Sequence, residues 1–168
     1  MQRRAFLAAS MAFLPLAFIH CAAGADEVHP QEKGTKSFEV TRTEAEWRKI
    51  LSRDQFNVLR KEGTERPGSS PLNGEHRAGT YHCAGCDLPV YSSTAKFESG
   101  TGWPSFTAPI EGAVGTSVDR SLFGERIEVH CRRCGGHLGH VFDDGPKPTG
   151  KRYCMNGVAM VFKPATQE

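Results

Sequence analysis

The sequence predicts a mainly β domain, in which antiparallel sheets surround a small β core and short helices lie at the N-terminal end. Eighteen Gly and ten Pro indicate many turns, which favours short strands over long helices. Short β-rich runs separated by turn residues begin at Gly79 and continue almost to the C-terminus. The 168 residues suit one globular domain, and a hydrophobic content of 38% is enough to form its core. A net charge of +2 gives no reason to expect nucleic acid or an anionic membrane as partner.

Residues 1–25 have the layout of a secretory signal peptide. Arg3 and Arg4 precede an apolar run over residues 5–19, and residues 23–25 fit the Ala-x-Ala form of a signal-peptidase site. The apolar run is shorter than the roughly 20 residues that a spanning helix needs. We therefore expect export and cleavage, with no stable membrane insertion afterwards, rather than a single-span anchor.

The paired arginines of this leader favour the twin-arginine route, which moves folded proteins, although an ordinary basic leader has the same composition. We therefore predict an exported protein of the bacterial periplasm. Cys21 follows His20, where a lipoprotein signal needs a small residue, so we assign Cys21 to the discarded peptide. The mature chain then begins near Asp26 and keeps five cysteines.

The mature chain begins with a polar segment, residues 26–40, that we expect to be flexible. Two short helices follow, because Thr43 with Glu46 and Ser52 with Gln55 form capping-box patterns. The apolar residues expected to face the core are Trp47, Ile50 and Leu51 in the first helix, and Phe56 and Leu59 in the second.

Strands and turns dominate the rest of a single domain predicted over residues 41–164. Gly63 is a natural helix stop, and residues 64–79 are rich in Gly and Pro and predict an extended connection. The strand candidates are residues 81–83, 88–91, 126–130 and 158–162. Loops are expected at residues 102–104 and 144–148.

Four cysteines form two Cys-x-x-Cys knuckles, Cys83 with Cys86 and Cys131 with Cys134. A two-residue spacer lets both thiolates of a knuckle face one point, so two knuckles can complete a closed, tetrahedral structural zinc site. Disulfides in an oxidising compartment and iron on four thiolates are the alternatives. We expect one structural Zn²⁺ that supports folding rather than chemistry, because four protein ligands leave no open position.

Cys154 is the remaining cysteine if the knuckles hold a metal. Its neighbours Lys151 and Arg152 are cationic, and positive charge near a thiol favours the nucleophilic thiolate. Three histidines upstream are candidate partners: His130, His137 and His140. A buried, inert cysteine fits the spacing alone equally well.

Longer motifs decide between these two interpretations of Cys154. The stretches SGTGWPSF at 99–106, HLGHVFDDGP at 137–146 and RYCMN at 152–156, together with both knuckles, resemble B-type methionine-(R)-sulfoxide reductases. The resemblance runs in order over about residues 47–162. It implies an enzyme that reduces the R form of peptide-bound methionine sulfoxide, with oxidised proteins or peptides as substrate.

The resemblance also implies the roles of individual residues. Cys154 attacks the sulfoxide sulfur, releases the thioether and becomes a sulfenic acid. His140 is the acid or hydrogen-bond donor to the sulfoxide oxygen, with His137 beside it, and Asn156 helps to position the substrate. Trp103 matches the aromatic that packs against the S-methyl group.

Three further residues have weaker support from the motifs. Phe142 completes the pocket or belongs to the core, and Asp119 and Arg126 support the site.

One departure concerns regeneration of the enzyme. Many relatives carry a second cysteine where this chain has Thr101, so no spare thiol is left in the mature chain. We therefore predict that a thioredoxin-like protein or a small thiol reduces Cys154 directly, without an internal disulfide. Gly157 is a second departure, since relatives often carry Ser there.

Two other function classes remain as rivals. A non-catalytic zinc module that binds a protein partner would need only the knuckles, and a thiol–disulfide oxidoreductase would use one of them. Neither explains Trp103, His140 and Cys154 together. We expect a monomer.

Overall fold

The computed structural model describes residues 37–121 and 124–166. The signal peptide predicted over residues 1–25, and residues 26–36 of the segment predicted to be flexible, lie outside the described residues. Residues 37–40 lie against the second cysteine knuckle, because the Val40 amide donates a 3.0 Å hydrogen bond to the Arg133 carbonyl. No helix within the described ranges is long and apolar enough to cross a membrane.

Two short helices lead into nine strands. The helices are α1 (Glu44–Ile50) and α2 (Arg53–Lys61), and 3₁₀ turns cover Pro71–Gly74, Ser93–Ala95 and Gly157–Ala159. The strands are β1 (Gly79–Cys83), β2 (Pro89–Ser92), β3 (Lys96–Phe97), β4 (Ser105–Phe106), β5 (Val114–Ser121), β6 (Gly124–Cys131), β7 (His137–Phe142), β8 (Arg152–Met155) and β9 (Met160–Pro164).

Both predicted capping boxes are present. The side chains of Thr43 and Ser52 each accept a hydrogen bond from the backbone amide three residues on. In return, the side chains of Glu46 and Gln55 accept a hydrogen bond from the backbone amides of Thr43 and Ser52. Such reciprocal bonds satisfy amides that have no partner inside the helix, so they fix where each helix starts. The predicted apolar residues are buried, namely Trp47, Leu51, Phe56 and Leu59.

Ile50 is the exception among the predicted core residues of the helices. Its side chain is 53% exposed, so the prediction that it faces the core is wrong. Helix α1 ends at Ile50, and the extended backbone at Leu51 carries that next side chain into the core instead. Helix α2 ends at Lys61, with Glu62 in the left-handed conformation just before the predicted stop at Gly63.

The strands form two antiparallel sheets, which confirms the predicted fold class. The three-stranded sheet has the order β2-β1-β9, and the six-stranded sheet has the order β3-β4-β8-β7-β6-β5. The strand candidates at 81–83, 88–91 and 126–130 are confirmed within β1, β2 and β6, apart from Leu88. The candidate at 158–162 is partly wrong, because residues 157–159 form a 3₁₀ turn and β9 starts at Met160. Strands β7 and β8, which carry the candidate histidines and Cys154, were not among the predicted strands.

An aromatic cluster packs the two sheets together. Tyr81 and Tyr91 of the smaller sheet contact Phe106 of the larger one at ring-centroid distances of 4.9 and 4.3 Å. All three side chains are fully buried. The Tyr91 hydroxyl also donates to the Met155 sulfur at 3.0 Å. Because side chains alternate along a strand, burial of Met155 in this core directs Cys154 to the opposite face of the sheet.

Candidate active site and metal centre

The four knuckle cysteines meet in one cluster. Their sulfur atoms all lie within 4.8 Å of one another, with 3.7 Å between Cys83 and Cys134 and 3.5 Å between Cys86 and Cys131. A tetrahedral zinc ion with bonds of about 2.3 Å requires sulfur atoms about 3.8 Å apart, whereas a disulfide requires about 2.05 Å. The cluster therefore has the donor set and the spacing of a metal site, and all five cysteines of the described residues are free.

The two knuckles have the same backbone turn. The amides of Asp87 and Gly135 donate to the carbonyls of Cys83 and Cys131 at 2.8 and 2.9 Å, and both donors have positive φ angles, 60° and 66°. Each knuckle follows a strand, β1 of the small sheet or β6 of the large one. A metal bound by both knuckles would therefore join the two sheets.

Strand register places two of the candidate catalytic residues, Cys154 and His140, side by side in one cross-strand row. Cross-strand neighbours follow one another from β3 to β5, in the order Phe97, Ser105, Cys154, His140, Glu128 and Ser117. Directly opposed residues share a face of the sheet, with side chains about 5 Å apart. The six-stranded sheet thus brings together residues from distant parts of the chain, and we call this set the polar row.

A small pocket opens beside the nucleophile candidate in this row. Its volume is about 120 Å³. It is lined by Thr64, Trp103, Arg126, Gly139, His140, Phe142, Cys154 and Asn156. Six of the residues predicted to form or support the site therefore share one cavity, namely Trp103, Arg126, His140, Phe142, Cys154 and Asn156. Thr64 and Gly139 were not predicted, and His137 does not line the pocket.

Burial dominates the environment of Cys154. It raises the pKa of the thiol, and a hydrogen bond with Thr101 and the charge of Arg152 oppose this only in part. Arg152 is itself held by Asp144, with two bonds of 2.9 and 2.8 Å. Arg152 thus favours the thiolate, as expected of a cationic neighbour, but burial outweighs its effect. Lys151 is paired with Asp143 in solvent. A base beside Cys154 would promote ionisation of the thiol.

His140 can supply that base. Its Nε2 lies 2.9 Å from Oδ2 of Asp119, and the same oxygen accepts a 2.7 Å bond from Arg126. Burial lowers the pKa of His140, although Asp119 opposes this, and the bonds from His140 and Arg126 lower the pKa of Asp119. An ionised carboxylate can only accept, so neutral His140 donates its Nε2 proton to Asp119 and carries a basic Nδ1.

His137 lies beside His140, with the two ring centroids 5.2 Å apart. Its Nδ1 is 2.9 Å from Oε1 of Glu128, and the side chain is buried. Burial raises the pKa of Glu128, but hydrogen bonds from His130, His137 and Ser117 outweigh it and hold that pKa below its usual range. This buried polar group is not part of the pocket lining, and it holds Glu128, a member of the polar row, in place.

Asn156 is fixed by hydrogen bonds on both sides of its amide. Its oxygen accepts from the Glu65 backbone amide at 2.9 Å, and its nitrogen donates to the Leu138 carbonyl at 3.1 Å. Only 3% of the surface of Asn156 is exposed, so its side chain forms part of the pocket wall and is not a free hydrogen-bond donor.

Glu65 ties this wall together, and sequence reasoning missed it. Its carboxylate accepts from the backbone amides of Gly157 and Val158 at 2.6 and 2.9 Å. Its carbonyl accepts from the Trp103 indole at 3.2 Å. Because Glu65 lies in a stretch without periodicity, no local pattern marks it. It connects Trp103 and the segment after Cys154, so the two sides of the pocket are held together.

Comparison with known proteins identifies the family. A profile of the SelR domain matches residues 51–164. The peptide methionine sulfoxide reductase MsrB of Pseudomonas putida is 54% identical over 126 residues, which cover 74% of this chain and 95% of that protein. The chain belongs to the B-type methionine sulfoxide reductase family.

Similar relatives occur well beyond that genus. The peptide methionine sulfoxide reductase MsrB of Methanosarcina barkeri is 54% identical over 125 residues, covering 74% of this chain and 88% of that protein. The chloroplastic peptide methionine sulfoxide reductase B1 of rice is 47% identical over 131 residues, covering 77% of this chain and 61% of that protein. The chain is thus an oxidoreductase that reduces methionine sulfoxide, and the resemblance noted in its motifs is confirmed.

Two features of this B-type reductase bear on the departures noted in its sequence. Thr101 contacts Cys154, with 3.9 Å between hydroxyl oxygen and sulfur. A Cβ atom at Gly157 would overlap with the Ser70 hydroxyl, so a serine there would require Ser70 to move. The structure gives Gly157 a packing role beside the pocket wall.

Proposed function

We propose that this enzyme reduces the R form of peptide-bound methionine sulfoxide through a sulfenic acid on Cys154, which an external thiol then reduces. The observation that carries the proposal is the shared pocket of Cys154, His140 and Trp103. A nucleophile, a proton carrier and a flat apolar wall are the groups that attack on a methyl sulfoxide requires.

The proton balance of the reaction fits the pair formed by His140 and Cys154. The basic Nδ1 of His140 takes the thiol proton, and the thiolate attacks the sulfoxide sulfur. The same proton then goes to the sulfoxide oxygen as the S–O bond of the substrate breaks. The hydroxyl forms a bond to Cys154 Sγ while the bond between Cys154 Sγ and the substrate sulfur breaks, which gives the sulfenic acid and releases the thioether. Cysteine sulfur is oxidised and substrate sulfur is reduced, with no proton gained or lost.

Selectivity for one sulfoxide form follows from three fixed directions. The S-methyl group packs on Trp103, the oxygen faces His140, and Cys154 attacks from its own strand. The third substituent of the sulfur, which leads to the peptide, must extend through the mouth of the pocket. Only one of two mirror-image sulfoxides satisfies all of these directions. The assignment of that form as R rests on the resemblance of the motifs.

Regeneration by an external thiol follows from the distribution of cysteines. The other four cysteines of the described residues are clustered in the metal centre, and Thr101 stands next to Cys154. The sulfenic acid therefore reacts with a thioredoxin-like protein or a small thiol to form a mixed disulfide and water. A second thiol of the reductant then releases Cys154.

The metal centre has a structural role in this proposal. Cys83, Cys86, Cys131 and Cys134 would hold one Zn²⁺, which suits four thiolates in a closed tetrahedral site. When bound, the ion supplies folding energy and takes no part in the reaction. The leader over residues 1–25 supports export to the bacterial periplasm, where the mature enzyme acts as a monomer on oxidised proteins.

The decisive experiment is a single turnover with a mixed R,S peptide-methionine sulfoxide, resolved by diastereomer. Without reductant, the mature enzyme should convert one equivalent of the R form and leave the S form. A sulfenic acid trap should then label Cys154, with no internal disulfide in non-reducing mass spectra. Consumption of the S form, or an internal disulfide at Cys154, would contradict the proposal.

The proposed role of His140 predicts a change in pH dependence. Asp119 raises the pKa of His140, so Asp119→Asn lowers it and makes neutral His140 a weaker base. Since protonation of His140 removes the base, the acidic limb of the pH–rate profile should move to lower pH. The rate at neutral pH should fall about tenfold, and His140→Gln should lower it by about 10²–10⁴-fold.

The exposed Asp54 offers the matched control, since Asp54→Asn removes the same charge outside the pocket. Its profile should superimpose on that of the unaltered enzyme. An unmoved acidic limb in Asp119→Asn would remove His140 from the proton path.

A further inference from the structure

A chain of hydroxyl groups leads from the nucleophile into the protein. Thr101 Oγ1 lies 3.9 Å from Cys154 Sγ and 2.8 Å from Ser99 Oγ. Ser99 Oγ lies 2.7 Å from Ser105 Oγ, and the Ser105 hydroxyl donates to the Trp103 carbonyl at 3.1 Å. Ser105 is 1% exposed and is the direct cross-strand neighbour of Cys154. Four contacts therefore connect Cys154 to the backbone of Trp103.

Counting protons fixes the direction of this chain when Cys154 is a thiol. A carbonyl can only accept, so the Ser105 hydroxyl donates its proton to the Trp103 carbonyl. The contact between Ser105 and Ser99 must then use the Ser99 proton, and the contact between Ser99 and Thr101 must use the Thr101 proton. The last contact needs the thiol proton of Cys154. Four protons serve four contacts, and all of them point away from the nucleophile.

Ionisation of Cys154 removes one proton from this chain. A thiolate can only accept, so Thr101 must turn its proton towards the sulfur. Ser99 must then donate to Thr101, and Ser105 to Ser99. Three protons now serve three contacts, and the bond to the Trp103 carbonyl is given up. A hydrogen bond to an anion is stronger than one between neutral groups. The reversal therefore keeps the strongest contact of the chain, the one between Thr101 and the Cys154 thiolate.

We propose that Thr101, Ser99 and Ser105 form a reversible hydroxyl chain whose direction follows the ionisation of Cys154, with Thr101 as the donor to the thiolate. Ser99 and Ser105 are positioning residues, because they act on the nucleophile only through Thr101. The proposal rests on the proposed function for its role in catalysis. Its chain of contacts stands independently of the reaction.

The chain acts on a sulfur that other charges also surround. His140 on β7 and Arg126 on β6 line the same pocket, and Arg152 with its partner Asp144 lies along β8 and the preceding loop. The hydrogen-bond partners seen for these groups are carboxylates, since His140 and Arg126 bond to Asp119 and Arg152 bonds to Asp144. Substitutions in the chain therefore leave the surrounding charges in place, while burial continues to raise the pKa of Cys154.

The test measures the ionisation of Cys154 directly. The rate of iodoacetamide labelling at Cys154, followed by mass spectrometry from pH 5 to 10, reports the thiolate fraction and needs no sulfoxide. Thr101→Val removes the donor and should raise the midpoint by about one pH unit. Thr101→Ser keeps the hydroxyl and should leave it unchanged.

The two serines should shift the midpoint in the opposite direction. Without the Ser105 hydroxyl, Ser99 and Thr101 can point towards Cys154 at no cost to the Trp103 carbonyl bond. Ser105→Ala should therefore lower the midpoint by about half a pH unit, since one neutral hydrogen bond no longer opposes ionisation. Ser99→Ala should lower the midpoint by the same amount. Because Ser99 is only half-buried, this variant takes the place of Ser105→Ala if the Ser105→Ala protein does not fold.

Opposite shifts in the valine and alanine variants support the chain. A midpoint that is unchanged in Thr101→Val, or that is unchanged or rises in the foldable serine variants, overturns it. Because labelling is independent of turnover, this result stands apart from the outcome of the sulfoxide assay. Metal content measured on each variant confirms that the fold is retained.

Discussion

Replacing Cys154 with serine should abolish methionine sulfoxide turnover while the fold and the metal centre remain intact. A serine hydroxyl is far less ionised and less nucleophilic than a thiol, and it cannot form a sulfenic acid. We expect the rate to fall by on the order of 10⁴-fold or more, as is typical when a covalent nucleophile is removed. The measurement is release of methionine-containing peptide in the presence of dithiothreitol.

Cys154→Ser is also a conservative change for the structure. The side chain is half-buried at the pocket, outside the aromatic core, so a change from sulfur to oxygen leaves no large cavity. Metal content and thermal unfolding should therefore match those of the unaltered enzyme. Turnover that survives in the variant would place the nucleophile elsewhere. A folded, metal-loaded enzyme inactive even before substitution would favour the rival interpretation as a non-catalytic metal-binding module.

Replacing Cys131 with serine should instead release the metal and unfold the domain. Cys131 is fully buried at the end of β6, and the knuckle it belongs to meets that of Cys83, on β1. Loss of one thiolate removes a ligand and leaves three thiols without a cation, two of them buried. Structural zinc contributes about 10 kcal/mol or more to folding in small zinc domains, so we expect a loss of several kcal/mol here.

Elemental analysis and denaturant unfolding check this second prediction together. The unaltered enzyme should contain one zinc per chain, and Cys131→Ser should contain none and unfold at lower denaturant concentration. Cys154→Ser is the matched control, since it removes a thiol outside the cluster. One iron per chain in place of zinc would show that the bound metal is iron. A metal-free enzyme of unchanged stability would show that packing alone holds the four thiols together.

Features that depend on neighbours along the chain were predictable from the sequence. The capping boxes join residues three positions apart, so Thr43 with Glu46 and Ser52 with Gln55 were evident as patterns. The knuckles are equally local, and their combination into one cluster follows from the chemistry of four thiolates. The long motifs around Trp103, His140 and Cys154 indicated the family, which in turn grouped these residues in one site.

Features that depend on strand pairing were not predictable in the same way. Strands β7 and β8 mix residues that favour strands, such as Val141 and Tyr153, with His, Gly, Arg and Cys, so their composition did not mark them. Their register decides that Cys154 lies opposite both Ser105 and His140. The role of Glu65 was unpredictable for the same reason, because its carboxylate binds the amides of residues 157 and 158, which are far along the chain. The net effect of burial on Cys154 likewise depends on packing that no sequence pattern records.

The polar row has a consequence for how this enzyme can vary in length. Backbone hydrogen bonds between β7 and β8 set the distance between His140 and Cys154, and the loop that connects the two strands does not. Residues 143–151 can therefore gain or lose residues while the reacting groups keep their separation, as long as both strands stay in register. A single insertion within β8 would turn Cys154 towards the aromatic core. The length of this loop can thus change without moving the reacting groups, whereas the length of the strands cannot.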